Sequence, residues 1–327
     1  MRPTVMGVTL VVAVLLLAAP LAVEAQQAGH AIHTVGVLIL HSRQAVGYTA
    51  FVDTLRQLGY EPDRNLRLLF RSAEGKLDRL PALATELVEA RVDAIVAINT
   101  PGTRAAMQAT TQIPIVMSIV GDPIGAGFVS NLARPGGNVT GISNMQAELG
   151  AKRLQLLTEA VPAAKRIAVL LNPADPVTVP QIQDTERAAP KLSVEIRFFP
   201  VREPGELPAT FTAMRAWRAD AALWLAGQAL TFHLETIELA AQHRLPVMVA
   251  PGADVEAGGL IAYAADHVEL SRRTALYVDR ILKGTKPGDL PVEQPMKFQL
   301  VINLKTAHAL GLTIPPVLLF QADRLIE

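Results

Sequence analysis

From residue 34 onward, short and almost wholly apolar runs alternate with amphipathic stretches, and that alternation predicts the fold class. Thr34–Leu40 (TVGVLIL) reads as a buried strand, followed by Tyr48–Leu58 with helical spacing and Gly59 as its stop. Leu66–Phe70 is a second strand, and Leu77–Ala90 a helix with Leu80, Leu83, Ala84, Leu87 and Val88 on one face. Ala94–Ile98, a helix over Arg104–Thr110 and the strand Ile113–Val120 complete a first unit. Strands that are apolar throughout are buried on both faces, as in a parallel sheet covered by helices.

The pattern then restarts. A helix at Leu149–Ala160 leads into Arg166–Leu171 (RIAVLL), and Gln183–Ala189, Val194–Phe199, Phe211–Arg218, Ala221–Leu225, Phe232–Gln242 and Val247–Ala250 continue the alternation. A TIM barrel is the competing topology at this length, but eight equal βα units cannot be counted. The loop Ala133–Thr140 instead falls where a lobe junction belongs. The prediction is therefore two doubly wound α/β lobes with a hinge and an interlobe cleft. The first covers residues 26–142, with 267–300 returning to it; the second covers 143–266, with 301–327. In the tail, the helix Leu270–Lys283 and the strand Phe298–Ile302 are read as returning towards the first lobe, giving the lobes more than one crossing.

Residues 1–25 do not fit this pattern. Arg2 is the only charge before Glu24, Val8–Ala19 is apolar, Pro20 breaks the run, and Val23-Glu24-Ala25 sets small residues where a signal peptidase reads. A cleaved signal peptide with Gln26 as the new N-terminus is expected; an uncleaved anchor over Pro3–Val23 is the competing reading. The absence of cysteine excludes disulfides, a thiol nucleophile, Cys-ligated metals and a lipid anchor. Thirty basic against thirty acidic residues give zero net charge, which argues against nucleic acid as a partner.

Catalytic signatures are missing: there is no G-x-S-x-G elbow, no Walker loop and no H-E-x-x-H. Gly121, Gly125 and Gly127 lack dinucleotide spacing, and the seven histidines form no ligand set. His233 and His243 read as a solvated helix face. No catalytic residue, cofactor or metal is expected. The strand C-termini carry the polar residues instead: His41-Ser42, Asn99-Thr100, Ser118 to Asp122, Asn172, Gly227-Gln228 and Asp254. Ligands of open α/β sheets bind there, although such residues also cap the following helices. Asp122, ahead of Pro123, is either a cap or a ligand contact. Tyr263, on a strand leading to Asp266 where the chain should cross between lobes, either lays its ring on a ligand or packs the hinge.

Longer motifs support a resemblance. Asp78-Arg79-Leu80-Pro81, Ile113-Pro114-Ile115-Val116, Gly121-Asp122-Pro123, Leu132–Ile142 (LARPGGNVTGI), Arg166–Pro173 (RIAVLLNP), Val255–Leu260 (VEAGGL) and the tail Tyr277–Leu312 run nearly end to end. In these the chain resembles the bacterial ABC-transporter substrate-binding proteins of the TrpX-like type, over residues 34–327. The resemblance implies a periplasmic-binding-protein type I fold and a role in solute capture between two Rossmann-like lobes. The implied partners are a membrane permease and an ATPase on other chains. Thr100 and Asp122 match cleft-bordering positions of the first lobe, and Asn172 and Tyr263 those of the second lobe and the crossing. Where many members read Ser-Tyr-Gly this chain has Ala262-Tyr263-Ala264, and Pro251–Asp254 also departs from the common pattern. A periplasmic monomer feeding an importer is expected, with a receptor-linked sensor and an exported enzyme as alternatives.

Overall fold

A computed structural model describes residues 32–40, 47–62, 64–173, 175, 177–225, 232–249 and 252–327. The expectations for residues 1–25, His41-Ser42 and Gly227-Gln228 lie outside the described residues. The first sheet comprises β1 (His33–Ile39), β2 (Leu66–Ser72), β3 (Ala94–Ile98), β4 (Ile115–Val120) and β5 (Val139–Ser143). Their order is β2-β1-β3-β4-β5, with every pairing parallel. Helices α1 (Tyr48–Gln57), α2 (Leu80–Glu89) and α3 (Asn99–Ala109) connect them. Alternate side chains of each strand feed opposite faces. Leu38, Ile95 and Met117 pack under Leu87 and Ala106 of α2 and α3, while Val37, Val96 and Val116 meet Phe51 and Leu55 of α1.

The second lobe runs α4 (Gly150–Ala160), β6 (Arg166–Leu171), α5 (Thr178–Ala188), β7 (Glu195–Pro200), α6 (Leu207–Ala216), β8 (Ala221–Trp224), α7 (His233–Gln242), β9 (Val247–Val249), α8 (Gly252–Glu256) and β10 (Ile261–Ala265). The chain then leaves for α9 (His267–Leu282) and comes back as β11 (Phe298–Asn303), α10 (Leu304–Leu310), α11 (Pro316–Gln321) and β12 (Arg324–Ile326). The sheet order is β12-β11-β10-β9-β8-β6-β7. One face is buried by Leu154 and Leu157 of α4 and Leu318 of α11, the other by Phe211 of α6 and Ile237 of α7.

The lobes exchange chain three times, after Ser143, at Asp266 and between Glu293 and Phe298. α9 does pack on the first lobe, its Leu270, Tyr277 and Val278 completing the core beside α1. Glu293 also stays there, pairing its backbone with Gly141 and Ser143 along the edge of β5. The strand Phe298–Ile302 does not. It belongs to the second sheet, antiparallel to β10 from Ile261↔Ile302 to Ala265↔Phe298, because the chain leaving Glu293 crosses back before the strand begins.

Two other boundaries differ from the periodicity. Helix α3 starts at Asn99, five residues before the predicted Arg104, because Pro101 falls within its first turn, where no N–H partner is lost. Strand β5 occupies the end of the predicted junction loop, its glycine-interrupted VTGIS being a weak strand signal. Gly141 sits there at φ 132°, and a Cβ would lie 2.0 Å from the Met117 carbonyl oxygen, so β4 and β5 approach only across a glycine. Among the described residues no helix is long and apolar enough to cross a membrane.

Candidate functional site

In both sheets the parallel strands direct their carboxyl ends towards the junction between the lobes, and the backbone there is unusual. The β4–β5 register shifts between Met117 and Val120, and Ile119, inside the shift, has φ 58°. A β-branched residue in the left-handed region costs on the order of 1–3 kcal/mol and persists only where the surroundings impose it. Asn99, at the neighbouring strand end, is also left-handed at φ 65°, a conformation asparagine tolerates better. Bulges and strain of this kind concentrate beside binding sites, where they re-aim side chains.

A cavity of about 230 Å³ opens between the lobes. Thr100, Asp122, Gly125 and Ala126 line it from the first lobe, and Val177, Val179, Pro180 and Gln183 from the second. Beside it the lobes touch. A Cβ on Gly121 would lie 2.5 Å from Val177 Cγ2, so glycine permits this closed arrangement. Asp122 is half-buried; its Oδ1 accepts the Gly125 N–H at 2.8 Å, closing a turn, while the residue also faces the cavity. Thr100 is buried in the first turn of α3. Buried Asn172 directly follows β6, its carbonyl accepting from the Asp175 N–H at 3.1 Å, and the Asp175 carboxylate accepts the Val177 N–H, shaping the approach to α5.

A second, apolar recess of about 40 Å³ lies at the same edge of the first lobe. Tyr48, Phe51, Phe70, Ile98 and Ile119 line it, and the hydroxyls of Ser118 and Thr274, 2.8 Å apart, add a polar spot. Tyr48 and Phe70 meet edge to face at 5.5 Å and are only half-buried.

The remaining candidates lie elsewhere. Asp254 is buried on α8 with its Oδ2 3.5 Å from His233 Nδ1. That contact raises the imidazole pKa above its ordinary value, against the opposing effect of burial. His233 is thus paired rather than merely solvated, and His243 packs on Phe211 with ring centres 5.5 Å apart. Tyr263 stacks on Phe298 at 5.5 Å, packs against the second-lobe core and lines neither cavity. Burial is the main cause raising its phenol pKa, with Asp323 adding and Arg153 opposing. Asp266 caps α9: Oδ1 accepts the N–H groups of Val268 and Glu269, and Oδ2 accepts from Gln299. Among the described residues no cluster of His, Cys, Asp or Glu could hold a metal.

Sequence reasoning missed the aromatic recess, the α5 wall of the cavity and the buried Arg153. Tyr48 and Phe70 carried the only signal for the recess, as aromatics at a helix start and a strand end in a chain with few aromatics.

Comparison with known proteins places this geometry. The family model for ABC transporter substrate binding proteins matches residues 34–326. A tyrosine-binding protein of Clostridioides difficile (strain R20291) is 26% identical over 276 residues, spanning 84% of this chain and 79% of that protein. The crystal structure of an ABC domain from Streptococcus pneumoniae in complex with L-Trp superposes with a TM-score of 0.84 at 29% identity, covering 90% of this chain and 99% of the other. A ligand-free, open substrate-binding protein with adhesive properties from Clostridium difficile shares the fold, with a TM-score of 0.68 at 24% identity over 90% of this chain and 99% of that one. Two α/β lobes, three crossings and a cleft lined from both sides agree with the type I periplasmic-binding-protein architecture. The chain belongs to the ABC transporter substrate-binding protein family.

Proposed function

We propose that this protein captures a small amino acid with an aromatic or bulky apolar side chain outside the cytoplasmic membrane and presents it to the permease of an ABC importer. One observation carries the reading: the cavity draws four lining residues from each lobe, beside the close approach of Gly121 to Val177 across it. A solute there bridges both lobes, so its binding energy favours closure. The chemical class follows from the recess formed by Tyr48, Phe51 and Phe70. An apolar side chain buried in it gains roughly 1.5–3 kcal/mol, after Tyr48 or Phe70 shifts to widen the 40 Å³ now available. In this reading Asp122 receives the ammonium group and Thr100 orients polar atoms, both being residues that line the cavity. The relatives described as binding tyrosine and holding L-Trp support the same class. Capture requires affinity without turnover, in keeping with relatives that are substrate-binding proteins.

The N-terminal segment supports export, with cleavage before Gln26 releasing the protein into the periplasm. Calorimetric titration of the mature protein with L-tryptophan, L-tyrosine, L-phenylalanine and L-leucine, with a hexitol as control, tests the solute class. Saturable binding of one or more of the amino acids and none of the hexitol is expected; binding of the hexitol alone, or of none, would overturn it.

A further inference from the structure

Arg153 occupies the first turn of α4, where the chain first enters the second lobe. It is completely buried, at 0% exposure. Its Nε donates to the carbonyl oxygen of Tyr263 at 2.8 Å, on the strand that leads to the second crossing. Its Nη1 and Nη2 are both buried without a hydrogen-bond partner.

The carboxylates on the flanking elements are already engaged. Asp184 of α5 accepts the Ala151 N–H and faces Arg187, while Asp266 caps α9 and holds Gln299. A buried, uncompensated guanidinium is strongly destabilising. Burial lowers the pKa of this one to about 10, which still leaves it charged at neutral pH. The Nη pair is a planar fork that matches a carboxylate or a comparable small anion. Cβ vectors on a helix point towards its N-terminus, so the side chain leans to the end of α4 where the helix dipole also favours negative charge. His267, at the start of α9, adds no charge at neutral pH: burial holds its imidazole below its ordinary pKa, opposed by Asp266 and reinforced by Arg153.

We propose that the Nη1–Nη2 edge of Arg153 binds a small monoanion at the hinge, supplied either by the carboxylate of the captured solute or by a free ion. The guanidinium is fully buried as the protein stands, so an anion reaches it only when the structure around it opens. The solute source rests on the function proposed above; the free-ion source does not.

Thermal and urea unfolding of the full mature protein in sodium formate or sodium chloride, at constant ionic strength balanced with bulky gluconate, tests the site. For the wild type the folding constant rises saturably with the small anion, about tenfold at ten times its dissociation constant. Arg153→Met loses this dependence, and Arg153→Lys, which keeps the charge without the fork, retains a weaker one. A wild type with no more dependence than Arg153→Met overturns a free-ion site. If Arg153→Met does not fold, Arg153→Lys decides that arm, equality with the wild type counting against it. Titrations with L-phenylalanine and its amide separate the sources. If the solute supplies the anion, Arg153→Met or Arg153→Lys weakens the acid at least tenfold but not the amide, and formate competes with the acid. If a free ion does, both solutes keep their affinities and only the salt dependence is lost. Absence of both the salt dependence and the acid-specific loss removes the site altogether. A wild type that binds no amino acid contradicts the proposed solute class, while the salt series still judges Arg153.

Discussion

At Asp122 the carboxylate accepts the Gly125 N–H, 2.8 Å away, while the residue lines the interlobe cavity. The two roles separate on substitution. Asp122→Ala removes the turn's acceptor and should lower stability by about 1 kcal/mol, read as a fall of roughly 2–4 °C in melting temperature. The same change should weaken amino-acid binding about tenfold, since a hydrogen bond to a charged group contributes roughly 1.5–3 kcal/mol. Asp122→Asn keeps an acceptor for Gly125, so calorimetry should find the melting temperature restored and the affinity still reduced. An Asn variant with wild-type affinity would assign Asp122 to the turn alone. Residue types at strand ends were legible in the sequence because both capping and ligand orientation demand small polar side chains. Which role each performs was not, since Asp122 and Asp266 look alike in sequence while Asp266 spends its oxygens on Val268, Glu269 and Gln299. Arg153 did leave a trace: it stands four residues from both Leu149 and Leu157, on the apolar stripe of its helix.

Between elements, the pair formed by His233 of α7 and Asp254 of α8 gives the second lobe a pH-dependent tie. The imidazole pKa is raised above its ordinary 6.5, chiefly by the bond to Asp254. A raised pKa stabilises the fold fully below the unfolded value, and that contribution fades as pH climbs through the folded one. His267 acts in the opposite sense: burial lowers its pKa, so acid below the unfolded value weakens the fold. The difference between wild type and variant therefore isolates His233. Urea unfolding should show His233→Gln more destabilising at about pH 5.5 than at about pH 8.5; equal losses at the two pH values would contradict the tie. The long apolar strands and amphipathic helices of this lobe were readable from periodicity. The short α8, α10, α11 and β12 were not, because three to seven residues carry too little period to register. Nor does an apolar run such as Phe298–Ile302 state its direction, which is why its antiparallel place beside β10 emerges only from pairing.

Across the molecule, two lobes, three crossings and one shared cleft make closure the mechanical act on which capture depends. The alternation of strands and helices was enough to predict two doubly wound lobes, because each apolar strand needs cover on both faces. The cleft itself escaped sequence reasoning on its second-lobe side, where Val177, Val179 and Pro180 read as ordinary apolar positions and only proximity to Thr100 and Asp122 gives them a role. Gly121 meets Val177 in the closed arrangement, so a bridging solute should hold the lobes as they stand here, and their separation should increase without it. Small-angle X-ray scattering of the mature protein, with and without a saturating concentration of the amino acid that binds it, measures this directly. The account predicts a smaller radius of gyration with the amino acid and a scattering curve that fits the closed lobes, against a larger radius in its absence. Saturation by the amino acid with no change in radius would contradict capture by closure.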